Sequence, residues 1–113
     1  MALDRIDIEQ RDSVVIAHVA GEVDLSNAAS VTDRLVAAMP NTATVLVLDM
    51  AATDYLDSSG VRLIFELAQR LTNRRQKLRL VVPDDANIRR VLALTEVEQV
   101  VPMSTSVEAA LGD

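Results

Sequence analysis

A short aliphatic run followed by an amphipathic helix pattern limits the possible folds of this chain more than any other feature. The run is Val45-Leu46-Val47-Leu48, which is typical of a strand buried on both faces. Downstream of it, apolar residues recur at helical spacing along one stripe, at Val61, Ile64, Phe65, Ala68 and Leu71. One stripe of that helix can pack on the sheet, so this part of the chain predicts an α/β domain.

The first part of the chain predicts a hairpin. Ile6 and Ile8 alternate with charged residues, which is the period-two pattern of a half-buried strand. A polar turn over residues 10–13 leads into an apolar strand over residues 14–20. Because the link between these two strands is so short, they should pair antiparallel.

A helix is predicted between this hairpin and the aliphatic run. Ser26 is a candidate N-cap, Pro40-Asn41 ends the helix, and one helical face carries Ala28, Val31, Leu35 and Met39. A crossover of this length predicts that the strand at Val45 runs parallel to the strand before the helix, with a right-handed connection.

The second half of the chain continues the alternation of strands and helices. Leu78 to Val82 predicts a buried strand, and Pro83-Asp84 opens a short helix with Ile88, Val91 and Leu92. Val100-Val101 predicts a brief edge strand, and Thr105 with Glu108 has capping-box spacing ahead of a last helix. The whole pattern predicts a single α/β domain with a mixed sheet of about five strands and about four α-helices.

The amino-acid composition of the chain limits the kinds of molecule that it can bind. The 113 residues carry a formal net charge of −6, so the chain lacks the basic surface that nucleic acid or an anionic membrane needs. It has no cysteine, no signal-peptide pattern at its start and no apolar run long enough for direct membrane insertion. We expect a cytoplasmic protein that binds other proteins, needs no cofactor or metal and is not an enzyme.

The candidate functional stretch is Asp54-Tyr55-Leu56-Asp57-Ser58-Ser59-Gly60, between the aliphatic run and the amphipathic helix. It puts two hydroxyl groups, those of Ser58 and Ser59, at or just before a helix N-terminus. Backbone N–H groups at that end have no intrahelical partner and the helix dipole favours negative charge. We therefore expect this junction to tolerate a phosphate on either serine.

Two motifs of this chain, at their places in the order of strands and helices, resemble those of the STAS domain family. Within that family they resemble the motifs of bacterial anti-sigma factor antagonists. They are Gly21-Glu22-Val23-Asp24 after the second strand and Tyr55-Leu56-Asp57-Ser58-Ser59-Gly60 before a helix, and the resemblance covers residues 1–113 as one STAS domain. It implies partner switching. The unphosphorylated antagonist binds an anti-sigma factor that is also a serine kinase, the sigma factor is released, phosphorylation of Ser58 ends the binding, and a serine phosphatase resets the cycle. The partner surface would comprise Asp24, Tyr55, Leu56, Asp57, Ser58, Ser59, Gly60 and Arg62.

These residues also have purely structural readings. Asp57 can simply cap the helix, Ser59 can be an ordinary first-turn residue, and Asp24 can be a turn aspartate. Tyr55 and Leu56 can either fill the apolar side of the junction or form an exposed contact. A constitutive STAS adaptor subunit of a membrane transporter or larger signalling complex is the alternative function, with Ser58 as an interface residue.

Two residues depart from the family pattern. Arg62 stands where antagonists often have a small residue, and its cation can pair with a phosphate or obstruct a kinase. Glu96 stands where family members frequently have glycine, which would suit a left-handed helix end.

The sequence gives less support to an enzymatic active site or a metal site than to a protein-binding surface. Ser58 lacks a nucleophile elbow and a neighbouring histidine, and His18 lies within an apolar strand, where a packed or edge-facing histidine is expected. Asp49, Asp54 and Asp57 have irregular spacing for a magnesium site. The chain has one basic cluster, which comprises Arg70, Arg74, Arg75, Lys77 and Arg79. We interpret it as a solvated helix end, with a docking patch as the alternative.

Overall fold

A computed structural model describes residues 3–112 of the chain. Within them six strands and four α-helices form a mixed α/β fold. The fold class and the four helices agree with the sequence prediction, and there is one strand more than the five or so expected. In chain order the elements are β1 (Leu3–Arg11), β2 (Val14–Val23), α1 (Ala28–Ala37), β3 (Val45–Asp49), β4 (Thr53–Leu56), α2 (Ser58–Asn73), β5 (Lys77–Val81), α3 (Arg89–Leu94), a 3₁₀ turn (Val97–Gln99), β6 (Met103–Ser104) and α4 (Val107–Leu111). In this part of the chain no helix is both long and apolar enough to cross a bilayer.

The sheet is organised around β2. It has the order β1-β2-β3-β5-β6, and β4 pairs separately with β2. The hairpin of β1 and β2 is antiparallel and β2 is parallel to β3, as expected from the turn and crossover lengths. β5 also runs parallel to β3. The first half of β2 pairs with β3 and its last residues, from Gly21, pair with β4. This division brings the end of β2 to the start of α2.

The sheet buries apolar residues on both faces. The main core lies between one face and α1, α2 and α3, and it contains Val15, Leu35, Leu46, Ile64, Leu67, Leu80 and Leu92 among others. The opposite face has a smaller cluster of Ile16, Val47 and Val81 under Ala110 of α4. Alternate residues of one strand therefore serve different clusters, which follows from the two-residue period of a strand.

Four local predictions are wrong. Gly21, Glu22 and Val23, which were expected to follow the second strand, are the last residues of β2. The residue before α1 is Asn27, not Ser26, because Ser26 donates to Asp24 instead of capping the helix. Ser106 caps α4 in place of Thr105, since its hydroxyl accepts from the amide of Ala109. The helix predicted from Pro83 begins only at Arg89.

The last strand is also displaced from its predicted place. Val100 is exposed and Val101 is buried after the 3₁₀ turn, and the strand is the two-residue β6 at Met103–Ser104. Pro102, which has no N–H, accepts from the amide of Leu80 through its carbonyl and starts the pairing with β5. Glu96 adopts the left-handed conformation, with φ 58° and ψ 32°, without being glycine.

Candidate functional site

The candidate site lies where the carboxyl ends of two parallel strands meet the start of α2. In the pairing of β2 with β4, Glu22 is opposite Tyr55 and Val23 is opposite Leu56. This register places Asp24 and Asp57, the residues that follow the two strands, next to each other. The two sequence motifs are therefore brought together by one strand pairing.

Asp57 joins the loop after β2 to the first turn of α2. Its Oδ1 accepts from the amides of Ser59 (2.9 Å) and Gly60 (3.1 Å), so it is the N-cap of the helix. Its Oδ2 accepts from the amide of Leu25 (3.2 Å), which lies 32 residues away in the chain. The structural reading of Asp57 as a cap is confirmed.

The same bonds change the expectation for anion binding. The amides of Ser59 and Gly60, which were expected to lack partners, already donate to Asp57. The amide of Val61 donates to the Asp57 carbonyl (3.0 Å). A phosphate on Ser58 would thus lie beside a carboxylate, and the amides of Ser59 and Gly60 are not free to bind it as was expected of them.

Ser58 is the first residue of α2 and is exposed, whereas Ser59 is partly buried. Among the hydrogen bonds of residues 3–112, none involves the Ser58 hydroxyl. An exposed hydroxyl at a capped helix start is accessible to another protein's active site.

Leu56 and Gly60 are buried beneath the first turn of α2 and pack against each other. Leu56 is only 3 % exposed, and Gly60 is buried. A Cβ at Gly60 would lie 2.8 Å from Cγ of Leu56 and 3.2 Å from the carbonyl oxygen of Val23. The absence of a side chain at Gly60 lets Leu56 fill the space under the first turn. Both residues lie beneath the surface, so Leu56 fills the apolar side of the junction, one of the two roles expected for it.

Asp24 forms a compact turn at the end of β2. Its Oδ1 accepts from the amide of Ser26 (2.9 Å) and from the Ser26 hydroxyl, and its own amide donates to Oδ1 of Asn27 (3.0 Å). The hydrogen bond from the Ser26 hydroxyl lowers the pKa of Asp24. Asp24 is therefore both a turn residue and a partly exposed negative charge beside Asp57.

Two apolar side chains are exposed at the same place. Leu25 is 81 % exposed and Tyr55 is 49 % exposed, and both line a shallow depression with Asp24, Ser26 and Asp57. Tyr55 was expected either to fill the apolar side of the junction or to be exposed, and its side chain is exposed. Leu25 was not among the residues predicted for this surface. Its position between Asp24 and Ser26 in a polar turn is a signal that its side chain lies outside the core.

Arg62 lies one turn beyond Ser58 on α2. Its side chain is exposed and lines a groove between α1 and α2, together with Leu25, Ala28, Ser59 and Glu66. None of the ion pairs within residues 3–112 includes Arg62. The groove extends the exposed surface from Ser58 along the two helices.

The remaining candidate groups lie outside this surface. His18 is bonded to Asp49 (2.7 Å) and Glu9 (3.1 Å) on the sheet, so Asp49 is part of a structural network. No cluster of three metal-ligating side chains occurs in the described part of the chain. Of the basic cluster, Arg74 donates to the carbonyl of Met39 and Arg79 to that of Ala110, so these two cations are structural and not simply solvated.

The fold and the site together define a STAS domain. A model of the STAS domain matches residues 5–110, so the chain belongs to the STAS domain family, as its motifs indicated. It is 27 % identical over 106 residues to BtrV of Bordetella bronchiseptica, which is named as a candidate anti-sigma factor antagonist. That alignment covers 94 % of this chain and 90 % of BtrV.

Solved structures show the same fold. An anti-sigma factor antagonist from Mycobacterium paratuberculosis superposes with a TM-score of 0.84 at 24 % identity, over 96 % of this chain and 91 % of that one. The anti-sigma factor antagonist SpoIIAA in its unphosphorylated form gives 0.73 at 19 % identity, over 94 % and 93 % of the two chains. The chain therefore has the fold of the anti-sigma factor antagonists.

Proposed function

We propose that this chain is an anti-sigma factor antagonist that acts by partner switching. In its unphosphorylated form it binds an anti-sigma factor that is also a serine kinase, and the sigma factor is released. The kinase then phosphorylates Ser58 and binding ends, until a serine phosphatase removes the phosphate. The observation that carries this proposal is the exposed Ser58 hydroxyl at the capped start of α2, in the middle of an exposed surface.

The partner surface in this proposal surrounds Ser58. It comprises Asp24, Leu25, Tyr55, Asp57, Ser58, Ser59 and Arg62. Leu25 and Tyr55 supply exposed apolar area. Tyrosine is among the residues that most often contribute a large share of the binding energy of an interface. The charged groups Asp24, Asp57 and Arg62 surround them and would set the orientation of the partner.

A phosphate on Ser58 would oppose docking without disturbing the fold. It adds about −1.5 to −2 charges next to Asp57, at the centre of the surface, where a docked partner would have to desolvate it. The side chain already points to solvent, so the core does not have to change. SpoIIAA, solved in its phosphorylated form, superposes on this chain with a TM-score of 0.66 at 19 % identity. This likeness supports a switch in which the fold is kept.

Phosphopeptide mass spectrometry on the protein from its native cells tests the modification. Trypsin should release residues 35–62, a peptide that contains both Ser58 and Ser59, so fragmentation must separate the two positions. We expect phosphate on Ser58 with an occupancy that changes between growth and stress. A well-detected peptide without phosphate in every condition would contradict switching, and a stable complex would then favour the constitutive adaptor.

Binding assays with charge variants test the interface. Ser58→Ala should keep the fold and stay bound to the kinase, whereas Ser58→Asp should keep the fold and weaken binding at least tenfold. Ser13→Asp is the matched control, because it adds the same charge in the turn before β2, about 30 Å from the site at the usual rise of a strand. The proposed interface is wrong if Ser58→Asp binds as well as Ser13→Asp.

A further inference from the structure

Arg62 is an exposed cation with no acidic partner among the described residues. It follows Ser58 by four positions on α2, and Glu66, a further four positions on, forms no ion pair with it. A guanidinium that is held on a helix surface without a carboxylate remains available for a different anion. The anion that the proposed function brings to this helix is the phosphate on Ser58.

The spacing of Ser58 and Arg62 suits a direct contact. Residues four apart lie on the same face of a helix and their side chains meet, here across about 6 Å of rise along the axis. An arginine side chain spans this separation, and its planar fork can donate two parallel hydrogen bonds to phosphate oxygens.

Two amides at the helix end, those of Ser59 and Gly60, are not available to neutralise the phosphate. Asp57 already accepts from the amides of Ser59 and Gly60, and its carboxylate would repel a second anion. The favourable direction for the phosphate is therefore away from Asp57 and along α2, which is where Arg62 lies.

We infer that Arg62 is the intramolecular ligand of a phosphate on Ser58, an inference that rests on the proposed phosphorylation of that residue. The pair has two effects on the switch. It stabilises the phosphorylated form as the dianion, and it withdraws the Arg62 guanidinium from the groove between α1 and α2. The phosphate thus removes a positive contact from the partner surface in addition to placing a negative charge there.

The test is a phosphorus NMR titration of protein in which phosphoserine is incorporated at position 58 during translation. The second pKa of the phosphate, about 6 in a free phosphoserine, is measured in the parent and in Arg62→Gln. Because the cation favours the dianion, the pKa should be higher in Arg62→Gln, by about 0.3 to 0.7 of a pH unit at the strength of an exposed ion pair. Arg62→Lys keeps the charge without the planar fork and should give an intermediate value.

Arg70→Gln is the matched control on the same helix. It removes an exposed arginine about 18 Å from Ser58 along the axis, more than two Debye lengths away at about 0.15 M salt, and should leave the phosphate pKa unchanged. Equal phosphate pKa values in the parent, Arg62→Gln and Arg70→Gln would overturn the inference. This result is separate from that of the proposed function, since the phosphate is installed without a kinase and its presence in cells is measured independently.

Discussion

At the scale of single residues, the shape of the site depends on Gly60, where a side chain would collide with Leu56. An added Cβ would lie 2.8 Å from Cγ of Leu56, which is buried and cannot move aside freely. Alanine is favoured over glycine in a helix by about 1 kcal/mol, but overpacking costs about 1–3 kcal/mol. Gly60→Ala should therefore lower the free energy of unfolding by up to about 2 kcal/mol in urea denaturation, which is the difference between these two effects. Ser59→Ala is the neighbouring control and should change it by less than about 0.5 kcal/mol. An unchanged or higher stability of Gly60→Ala would show that Leu56 can repack.

His18 is the residue whose charge should make stability depend on pH. Its Nδ1 lies 2.7 Å from Oδ2 of Asp49 and its Nε2 lies 3.1 Å from Oε1 of Glu9. Ionised carboxylates only accept hydrogen bonds, so both contacts form together when both ring nitrogens carry a proton. Burial acts to lower the pKa of His18, but the hydrogen bonds to Glu9 and Asp49 outweigh it and the pKa is raised.

A raised pKa fixes the sign of the pH dependence. The stabilisation from His18 is fully present below the pKa of unfolded histidine, about 6.5, and is lost as the pH rises through the higher pKa of the folded state. His18→Gln lacks this contribution. The difference in unfolding free energy between the parent and His18→Gln should therefore shrink as the pH rises above the pKa of unfolded histidine, about 6.5. Urea unfolding across this range measures it, and a difference that is constant or grows would show that His18 is not charged in the fold.

At the scale of the helices and strands, Glu96 ends α3 in a conformation that favours glycine. Its φ of 58° is in the left-handed region, which costs an ordinary residue about 1–2 kcal/mol, while glycine is penalised by its larger freedom in the unfolded chain. Glu96→Gly should therefore raise the free energy of unfolding by about 0.5–1 kcal/mol. Glu98→Gly is the control within the adjacent 3₁₀ turn and should lower it, because Glu98 has no positive φ. If both variants lose stability alike, the left-handed turn at Glu96 carries no strain.

The elements that the sequence predicts well are long or strongly periodic. The hairpin and α2 have many residues in one pattern, so single exceptions do not obscure them. β4 was missed because only Thr53 and Leu56 of its four residues are buried, which gives no alternation, and its pairing depends on the long β2. β6 has only two residues. Helix starts shifted by one or more positions, because nearby polar side chains such as Ser26 bond to a turn instead of a helix end.

In the candidate site, too, some features could be predicted from the sequence and others could not. Ser58 and Asp57 were predictable because a motif and a cap are local features of the chain. Whether a side chain faces solvent depends on packing from other elements, and sequence alone left this open for Tyr55 and Leu56. The bond between Asp57 and the Leu25 amide joins residues 32 positions apart, so no local pattern could indicate it.

At the scale of the whole molecule, one sheet connects two apolar clusters of very different size. Neighbouring residues of β2, Val15 and Ile16, belong to the main core and to the smaller cluster under α4 respectively. A substitution that destabilises the smaller cluster should therefore also lower the stability of the candidate site at the far end of β2. The rigid scaffold that the proposed switch needs is a consequence of this shared sheet.

Ile16→Ala tests whether the domain unfolds as one unit. Ile16 is 0 % exposed, so its truncation should lower the free energy of unfolding by about 2–5 kcal/mol, whereas Ile8→Ala, at a site 46 % exposed, should cost much less. Tyr55 is the one tyrosine in a chain without tryptophan, so its fluorescence reports on the candidate site, while far-UV circular dichroism reports on all elements. In Ile16→Ala both transitions should move together to lower urea concentration. A Tyr55 transition that stays at the midpoint of the parent while the dichroism transition moves would show that the cluster under α4 unfolds separately from the switch surface.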